Sequence, residues 1–285
     1  MQNNLFNSEF AKNSKFDKNF VGNILKIEDW LLLSEQFKKY IEKSNISDKS
    51  KVPIPKKIHQ IWLGGRSIPR ICKKWMNTWK VLNPQWEYKL WDEKNIKELN
   101  VAELNVYTKK FNPGYRSDIL RYVILKKFGG IYVDTDFECI KPLPSNILEY
   151  KFIAGTMFGN NPCIGNSILM CAPNFLLMDN ILNYIKQKEY KNDINFIIKN
   201  SGPGTVTREY FALEKNIQRE CLILPSNYFY PYPNFMLNKQ IDRYKEVEDV
   251  SIGIHHWEMT WMKGNLFNRI KNKLKVNLKN HINLQ

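Results

Sequence analysis

The sequence predicts an α/β protein built on a largely parallel β-sheet flanked by helices. Short apolar runs of strand length alternate with longer stretches in which apolar residues recur at helical spacing. Glycine or proline separates many of these stretches, as expected where strands and helices are joined by tight turns. The chain has 285 residues, 43% of them hydrophobic and 13% aromatic, so it is long enough to bury a substantial core.

Three segments follow from the pattern of apolar residues and breaks. Residues 1–52 are predicted to be a helical amino-terminal arm, with its helix at 22–43. Residues 53–262 form the main domain, and 263–285 a basic carboxyl-terminal helix. The domain opens with two strands and two helices, and Asp92 is placed to cap the second helix. These elements are a strand over Ile58–Leu63, a helix over 71–82, a strand over 86–92 and a helix over Glu93–Lys110.

A second break, Asn112-Pro113-Gly114, precedes the most regular helix of the domain. This helix is predicted over Tyr115–Phe128, and Gly129 is placed to end it. The strand Ile131–Val133 follows at once. Because alternating strands and helices of this length build parallel sheets, and ligands bind at the carboxyl ends of such strands, the residues after Val133 are candidates for a site.

The basic charge is concentrated toward the two ends of the chain. The net charge is +15, of which residues 1–58 carry +4 and 263–285 carry +6, leaving +5 for the long central part. A nucleic-acid-binding protein more often carries a basic stripe on its main domain, so a nucleic-acid partner is not expected. The basic helix at 263–285 favours either peripheral contact with an anionic membrane or packing on the domain.

Other classes are excluded by what the sequence lacks. It has no apolar run near the roughly 20 residues needed to span a bilayer, so an integral membrane protein is not expected. Its five cysteines include no C-x-x-C pair, which argues against a disulfide framework or a structural zinc site. The amino terminus has no secretory signal pattern. A cytoplasmic protein is the expectation.

Asp134-Thr135-Asp136, directly after the apolar strand, is the most informative stretch. On a continuing strand the two aspartates would be separated by two positions and project from the same face. Carboxylates so close repel each other unless a cation or proton lies between them. Mg²⁺ or Mn²⁺ suits such oxygen ligands and also bridges phosphate oxygens.

The preceding helix adds a second polar pair. Asp118 and Arg121 are three positions apart and share a helix face, so both pairs can approach one cleft. Arg121 suits a phosphate, and Asp118 suits sugar hydroxyl groups. The alternative interpretation is a surface ion pair on the helix followed by an Asp-rich turn.

Three motifs in this order resemble glycosyltransferase family 32, the Asp-x-Asp sugar transferases related to the glucosylating domain of large clostridial toxins. They are Ile58-His59-Gln60-Ile61-Trp62-Leu63-Gly64, Ser117-Asp118-x-x-Arg121 and Gly129-Gly130-Ile131-Tyr132-Val133-Asp134-Thr135-Asp136, within a resemblance that covers about residues 53–262. The resemblance implies a GT-A fold with a Rossmann-like sheet, a nucleotide-sugar donor, a divalent metal and a retaining transfer.

The resemblance also implies roles for individual residues. Trp62 would stack on the base beside the backbone of Gln60 and Ile61, and Asp136 would ligate the metal. The implied nucleotide-sugar-binding residues are Gln60, Ile61, Trp62, Asp118, Arg121, Tyr132, Asp134 and Trp257. The implied catalytic residues are Asp118, Arg121 and Asp136, and the implied metal ligands are Asp134, Asp136 and His256. Ile254-His255-His256-Trp257-x-x-x-Trp261 resembles the closing motif of the family, in which a histidine approaches the metal or diphosphate. The sequence does not distinguish which of His255 and His256 does so.

The expected function is therefore transfer of a sugar, from a UDP-sugar by default, to a glycan or lipid-linked acceptor in bacterial surface polysaccharide or capsule synthesis. One alternative is a toxin-like glycosyltransferase that modifies a host protein. Another is a metal-dependent phosphohydrolase, which would need further carboxylate ligands. A third is a non-catalytic basic module that binds nucleic acid, whose binding would fall steeply with salt.

Overall fold

The computed structural model describes residues 8–14, 26–43, 53–99, 110–157, 163–232, 242–258 and 260–261. Within these ranges a seven-stranded sheet is flanked by helices, and a separate two-stranded sheet lies beside it. The strands are β1 (Lys57–Ile61), β2 (Glu87–Trp91), β3 (Gly130–Val133), β4 (Phe137–Cys139), β5 (Phe152–Met157), β6 (Cys163–Ile164), β7 (Ile168–Cys171), β8 (Cys221–Leu224) and β9 (Gly253–His255).

Nine α-helices occur in the described ranges, together with 3₁₀ turns at Ile96–Leu99, Ser145–Glu149 and Arg243–Glu246. The α-helices are α1 (Glu9–Asn13), α2 (Ile27–Lys43), α3 (Arg70–Leu82), α4 (Pro113–Phe128), α5 (Leu176–Lys186), α6 (Ile194–Asn200), α7 (Pro203–Phe211), α8 (Lys215–Gln218) and α9 (Ser226–Phe229). Each of these described helices is too short or too polar to span a lipid bilayer.

The central sheet has the strand order β2-β1-β3-β7-β5-β6, and β8 also pairs with β5. β1 pairs in parallel with β2 and β3, and β5 pairs in parallel with β8. β7 is antiparallel to both β3 and β5, and β6 is antiparallel to β5. Five of these seven described strands therefore point the same way, which confirms the predicted α/β class with a mostly parallel sheet.

The predicted helix over Glu93–Lys110 is wrong in its described part. Residues 96–99 form only a 3₁₀ turn, and 100–109 lie outside the described residues. Asp92 accepts hydrogen bonds from the backbone of Lys94 and Asn95, as a cap would. The Asn95 side chain, however, bonds back to the backbone of Asp92 and Leu90. These local bonds close a turn in competition with a helix.

The predicted amino-terminal helix is present as α2, and it packs directly on the main domain. Trp30, Leu33 and Phe37 are almost completely buried, and the Phe37 ring meets that of Tyr228 edge-on at 5.9 Å. Gln36 donates a hydrogen bond to the carbonyl of Gln218. The segment boundaries at 52 and 262 stay predictions, and the predicted helix over 263–285 lies outside the described residues.

Helix α4 is buried on nearly every side and leads straight into β3. Asn112 caps its start by accepting a bond from the Gly114 amide, and the helix ends at Gly129 as predicted. Gly129 and Gly130 have φ of 60° and 92°. A Cβ on Gly130 would lie 2.5 Å from the Lys57 carbonyl oxygen, so the helix can join the central strand this closely only through glycine.

Candidate active site

Asp134, Thr135 and Asp136 form a turn between β3 and β4, called here the aspartate turn. β3 ends at Val133, and the Phe137 amide donates a hydrogen bond back to the carbonyl of Asp134. The expectation that both aspartates project from one strand face is therefore wrong, because the strand has already ended. The turn nevertheless brings the two carboxylates together at the carboxyl end of β3.

His255 completes a cluster with these two aspartates. Its Nε2 lies 3.3 Å from Oδ1 of Asp136 and 3.9 Å from Oδ2 of Asp134, and one ligand atom from each residue lies within 4.8 Å of the others. Since an imidazole Nε2 carries at most one proton, it cannot satisfy both carboxylates. Two carboxylate oxygens and an imidazole nitrogen are a donor set that suits Mn²⁺, so the residues fit the predicted divalent metal.

The structure corrects the choice of histidine. His256 Nε2 lies 2.9 Å from Oε2 of Glu138, and its ring stacks on Trp75. His256 therefore faces away from the aspartate turn, and His255 takes the place assigned to it. Adjacent residues at the end of a strand point to opposite faces, which is why only one of the two reaches the aspartates.

Asp136 is held as a carboxylate. Its Oδ2 accepts a 2.8 Å hydrogen bond from the Glu258 amide, and its backbone carbonyl accepts one from the His256 amide. Burial alone would raise the pKa of Asp136, but His255 and the Glu258 amide outweigh it and hold that pKa below its usual value. An ionised Asp136 is what a metal ligand requires.

Arg121 extends from α4 to the aspartate turn. Its guanidinium is 2.9 Å from Oδ1 of Asp118 and 3.3 Å from Oδ1 of Asp134, and it donates a 2.6 Å bond to the Asn166 carbonyl. Asp118 and Arg121 do form an ion pair, but it is buried, so the alternative interpretation of a surface pair is wrong. A charged pair inside a buried helix must be satisfied in this way.

Asp118 is the buried carboxylate of this network. It accepts hydrogen bonds from the Asn166 amide at 2.9 Å and the Ser201 hydroxyl at 2.7 Å. Burial raises the pKa of Asp118 to about 6, despite the opposing effect of Arg121 and Ser201. Sequence reasoning missed both Asn166 and Ser201, since each is a single polar residue with no motif around it.

Tyr132 contacts both Asp134 and Arg121 in this network. Its hydroxyl donates a 2.5 Å hydrogen bond to Oδ1 of Asp134, and the Arg121 guanidinium lies 4.4 Å above its ring. Tyr132 is almost fully buried, and burial raises its pKa well above the usual value, so the hydroxyl stays protonated. The residue therefore orients Asp134 and Arg121 in this structure.

The predicted base-binding residues lie at the end of β1. The ladder between β1 and β3 ends at His59 and Tyr132, so Gln60 and Ile61 form no register pair with β3. The buried Gln60 side chain donates to the Asp134 carbonyl. Trp62 follows the strand and is half-buried, and its indole N–H donates to the Arg66 carbonyl at 2.5 Å.

The closing motif contacts the aspartate turn through the His256 and Glu258 amides, which donate to Asp136. Trp257 has a φ of 57°, unusual for a bulky residue, and its ring lies 4.1 Å from that of His255. Arg66 donates to the Thr260 carbonyl, and the Trp261 ring packs where a Cβ on Gly114 would be. The motif thus joins the end of β1 to the start of α4. Contacts of all these residues with a nucleotide sugar stay predictions.

Comparison with known proteins agrees with the motifs. Residues 69–153 match the family described as "Glycosyltransferase sugar-binding region containing DXD motif". An uncharacterised glycosyltransferase of Acanthamoeba polyphaga mimivirus is 29% identical over 187 residues, covering 62% of this chain and 73% of that protein. Inositol phosphoceramide mannosyltransferase 3 of Schizosaccharomyces pombe is 29% identical over 133 residues, covering 44% of this chain. The chain spans only 33% of the length of that mannosyltransferase.

Among solved structures, the catalytic domain of alpha-toxin from Clostridium novyi overlaps 85% of this chain and 87% of its own length. Its TM-score is 0.47 at 13% identity, a likeness too weak to assign function. The family match and the named glycosyltransferases confirm the resemblance drawn from the three motifs and the predicted enzyme class. Residues 69–153 of the chain thus match the DXD sugar-binding region of glycosyltransferases.

Proposed function

We propose that this protein is a metal-dependent, retaining glycosyltransferase that uses a nucleotide-diphosphate sugar, with a UDP-sugar favoured. The observation that carries the proposal is the cluster of Asp134, Asp136 and His255 at the carboxyl end of β3, next to the buried Arg121. Anionic ligands and a cationic side chain at one sheet edge suit a diphosphate bound through a divalent cation.

Asp134, Asp136 and His255 would hold the cation. When bound, a divalent metal neutralises the charge that develops on a departing diphosphate. Arg121 adds a fixed positive charge beside Asp134, and its position is set by Asp118 and the Asn166 carbonyl. Such preorganised charge needs little rearrangement during the reaction.

The half-buried Trp62 at the end of β1 offers a face for the base, and the backbone of Gln60 and Ile61 lies beside it. The environment of Asp118 bears on the route that a retaining transfer would take. Both of its carboxylate oxygens accept hydrogen bonds from protein groups, so it is not a free nucleophile. Attack by the acceptor hydroxyl on the face that the diphosphate leaves is therefore preferred over a double displacement.

The proposed acceptor is a glycan or a lipid-linked intermediate of bacterial surface polysaccharide synthesis, met in the cytoplasm or at the inner face of the membrane. The fungal relative is an inositol phosphoceramide mannosyltransferase, which supports a lipid acceptor. The runner-up is toxin-like transfer to a host protein.

The test is hydrolysis and transfer with a panel of UDP- and GDP-sugars, with Mn²⁺ or with a chelator. We expect one donor to release nucleoside diphosphate and sugar, with loss of activity on chelation and in Asp136→Ala. Radiolabel in extracted lipid or glycan supports the proposal, whereas label in host protein supports the runner-up. Release of inorganic phosphate from simple phosphate esters, with every nucleotide sugar left intact, indicates a phosphohydrolase instead.

Two further observations bear on the alternatives. Within the described residues, Asp134, Asp136 and His255 are the one group with three clustered potential ligands, so no second metal site of the kind found in many phosphohydrolases accompanies it there. The basic segment 263–285 is proposed to contact anionic membrane. Deleting 264–285 should lower binding to anionic vesicles and spare donor hydrolysis; unchanged vesicle binding would contradict the membrane role.

A further inference from the structure

The two-stranded sheet of β4 and β9 carries two of the three clustered ligands. Asp136 directly precedes β4, and His255 is the last residue of β9. Phe137 is paired with His255, and the His256 amide donates to the Asp136 carbonyl. The distance between Asp136 and His255 is therefore set by how these two short strands pair. An isolated two-stranded sheet is marginally stable in water, so further contacts must fix it.

Glu138 and His256 supply such a contact from the face opposite the ligands. Oε2 of Glu138 lies 2.9 Å from Nε2 of His256 and also accepts a 2.9 Å bond from the Tyr244 hydroxyl. Nη1 of Arg243 lies 3.2 Å from Nδ1 of His256. Both Glu138 and His256 are buried, with exposed fractions of 9% and 2%. This link joins β4, β9 and the turn at Arg243–Glu246.

The partners of His256 fix its orientation. Arginine can only donate, so Nδ1 of His256 accepts from Arg243 and Nε2–H donates to Glu138. The His256 ring is also stacked on Trp75 of α3, with centroids 3.8 Å apart and planes 8° apart. Both ring nitrogens and one ring face are thus engaged, so His256 has little freedom to turn.

A fixed His256 constrains the residues on either side of it. His255 directly precedes it, and Trp257 directly follows it with a φ of 57°. That conformation is costly for a bulky residue and persists only where neighbouring contacts hold it. The Glu138–His256 link provides contacts of this kind on the two strands that carry Asp136 and His255.

We propose that Glu138 and His256 are positioning residues that hold Asp136 and His255 at the separation a divalent cation requires. This inference rests on the proposed function, since it concerns the same metal site. Neither residue contacts the cation; each acts through the strand that carries a ligand. Groups beyond the direct ligands commonly change metal affinity by about 10- to 100-fold.

The test measures Mn²⁺ affinity directly, by the loss of the electron paramagnetic resonance signal of free Mn²⁺, without turnover. We compare the full chain with Glu138→Ala, His256→Ala, Glu138→Gln and Tyr244→Phe. Glu138→Gln keeps an acceptor for His256. Tyr244→Phe removes the hydroxyl bond to Glu138 at little risk to folding, because Tyr244 is exposed. Gln218→Ala is the matched control. Gln218 is also buried, but its side chain donates to the Tyr210 carbonyl and its own carbonyl accepts from Gln36 of α2, so these bonds do not involve β4 or β9.

We expect the two alanine variants to bind Mn²⁺ about tenfold more weakly or worse, and Glu138→Gln and Tyr244→Phe to remain within about threefold. Gln218→Ala should lower the melting temperature without changing Mn²⁺ affinity. If the alanine variants do not fold, His256→Phe keeps the ring stacked on Trp75 but loses the bonds of both ring nitrogens, and unchanged Mn²⁺ affinity in that variant overturns the inference.

The two proposals fail in different ways. If the unaltered chain and Asp136→Asn both fail to bind Mn²⁺, the proposed metal dependence is wrong and the positioning role falls with it. If the unaltered chain binds Mn²⁺, Asp136→Asn does not, and Glu138→Ala binds like the unaltered chain, the metal site stands and only the positioning role is overturned.

Discussion

Nη1 of Arg121 lies 3.3 Å from Oδ1 of Asp134, so one ion pair joins the buried helix α4 to the aspartate turn. The same guanidinium bonds Asp118 on its own helix and the Asn166 carbonyl before β7. Three separate parts of the chain therefore meet at a single side chain. The planar fork of arginine makes this possible, because its five N–H groups point in fixed directions.

Replacing Arg121 by lysine should therefore fail to preserve activity. Lysine keeps the charge but cannot reach both carboxylates and the Asn166 carbonyl together, so we expect sugar-donor turnover to fall by about 100-fold or more. Arg208→Lys is the matched control, since Arg208 stacks on the Tyr184 ring outside the site. Turnover of Arg121→Lys near that of the control would contradict the role given to the Arg121 guanidinium.

Ser201 should contribute to stability through its bond to buried Asp118. Ser201→Ala removes a 2.7 Å hydrogen bond to a charged group, and the expected loss is about 2 kcal/mol of unfolding free energy. Ser34→Ala, which removes a half-buried hydroxyl contact with Ser8, should cost about 0.5 kcal/mol or less. Urea unfolding at pH 7.5 measures both, and equal losses would show that Asp118 does not depend on Ser201.

His59 should make stability depend on pH. Its Nε2 lies 3.0 Å from the Gly129 carbonyl and its Nδ1 accepts from the Trp91 indole, so the ring is held neutral. Burial, assisted by Lys57 and Lys89, lowers the pKa of His59 from 6.5 to about 4. The unfolded chain therefore binds the proton more readily, and stability present above pH 6.5 is lost as the pH falls toward 4.

The shift in the His59 pKa corresponds to about 3 kcal/mol at most. His59→Gln should be less stable than the unaltered chain at pH 7.5 but lose less stability between pH 6.5 and 4.5. Urea unfolding midpoints of both proteins, measured from pH 7.5 to 4.5, test this. A variant with the same pH slope as the unaltered chain would show that other groups cause the loss.

Two glycines with positive φ should respond very differently to alanine. A Cβ at Gly130 would meet the Lys57 carbonyl oxygen at 2.5 Å, whereas a Cβ at Gly65 would have no atom within 4 Å. Gly65→Ala carries only the backbone cost of about 1 kcal/mol. Gly130→Ala adds a backbone clash inside the central sheet, and we expect it to lower the melting temperature much further or prevent folding. Similar melting temperatures for the two variants would contradict the close approach of β3 to β1.

The sequence predicted the elements that local signals define. Helix α4 has a capping asparagine, a proline at its start and a glycine at its end, and β3 follows without a linker, so its boundaries were accurate to about two residues. The helix over Glu93–Lys110 failed in its described part because its apolar spacing was read without the Asn95 side chain, which closes a turn.

The sequence predicted which residues belong to the site but not how their side chains are arranged. Asp118, Arg121 and the two aspartates do lie together, yet the aspartates reach each other through a turn, and the choice between His255 and His256 depended on which strand face points inward. Asn166 and Ser201 could not be found in this way, since they approach Asp118 only after β7 and α6 have packed.

Strand β7 runs opposite to β3, so its first residues lie where β3 ends, and the Asp134 amide donates to the Ser167 carbonyl. The wall of the site formed by Asn166 and Ser167 thus belongs to the entry of one strand, while the aspartate turn belongs to the exit of another. The two are coupled, since the Asn166 carbonyl also holds Arg121, which pairs with Asp134. An insertion between β6 and β7 is therefore expected to shift the aspartate turn together with the space beside Asp118, so the two sides of the site have to change in concert.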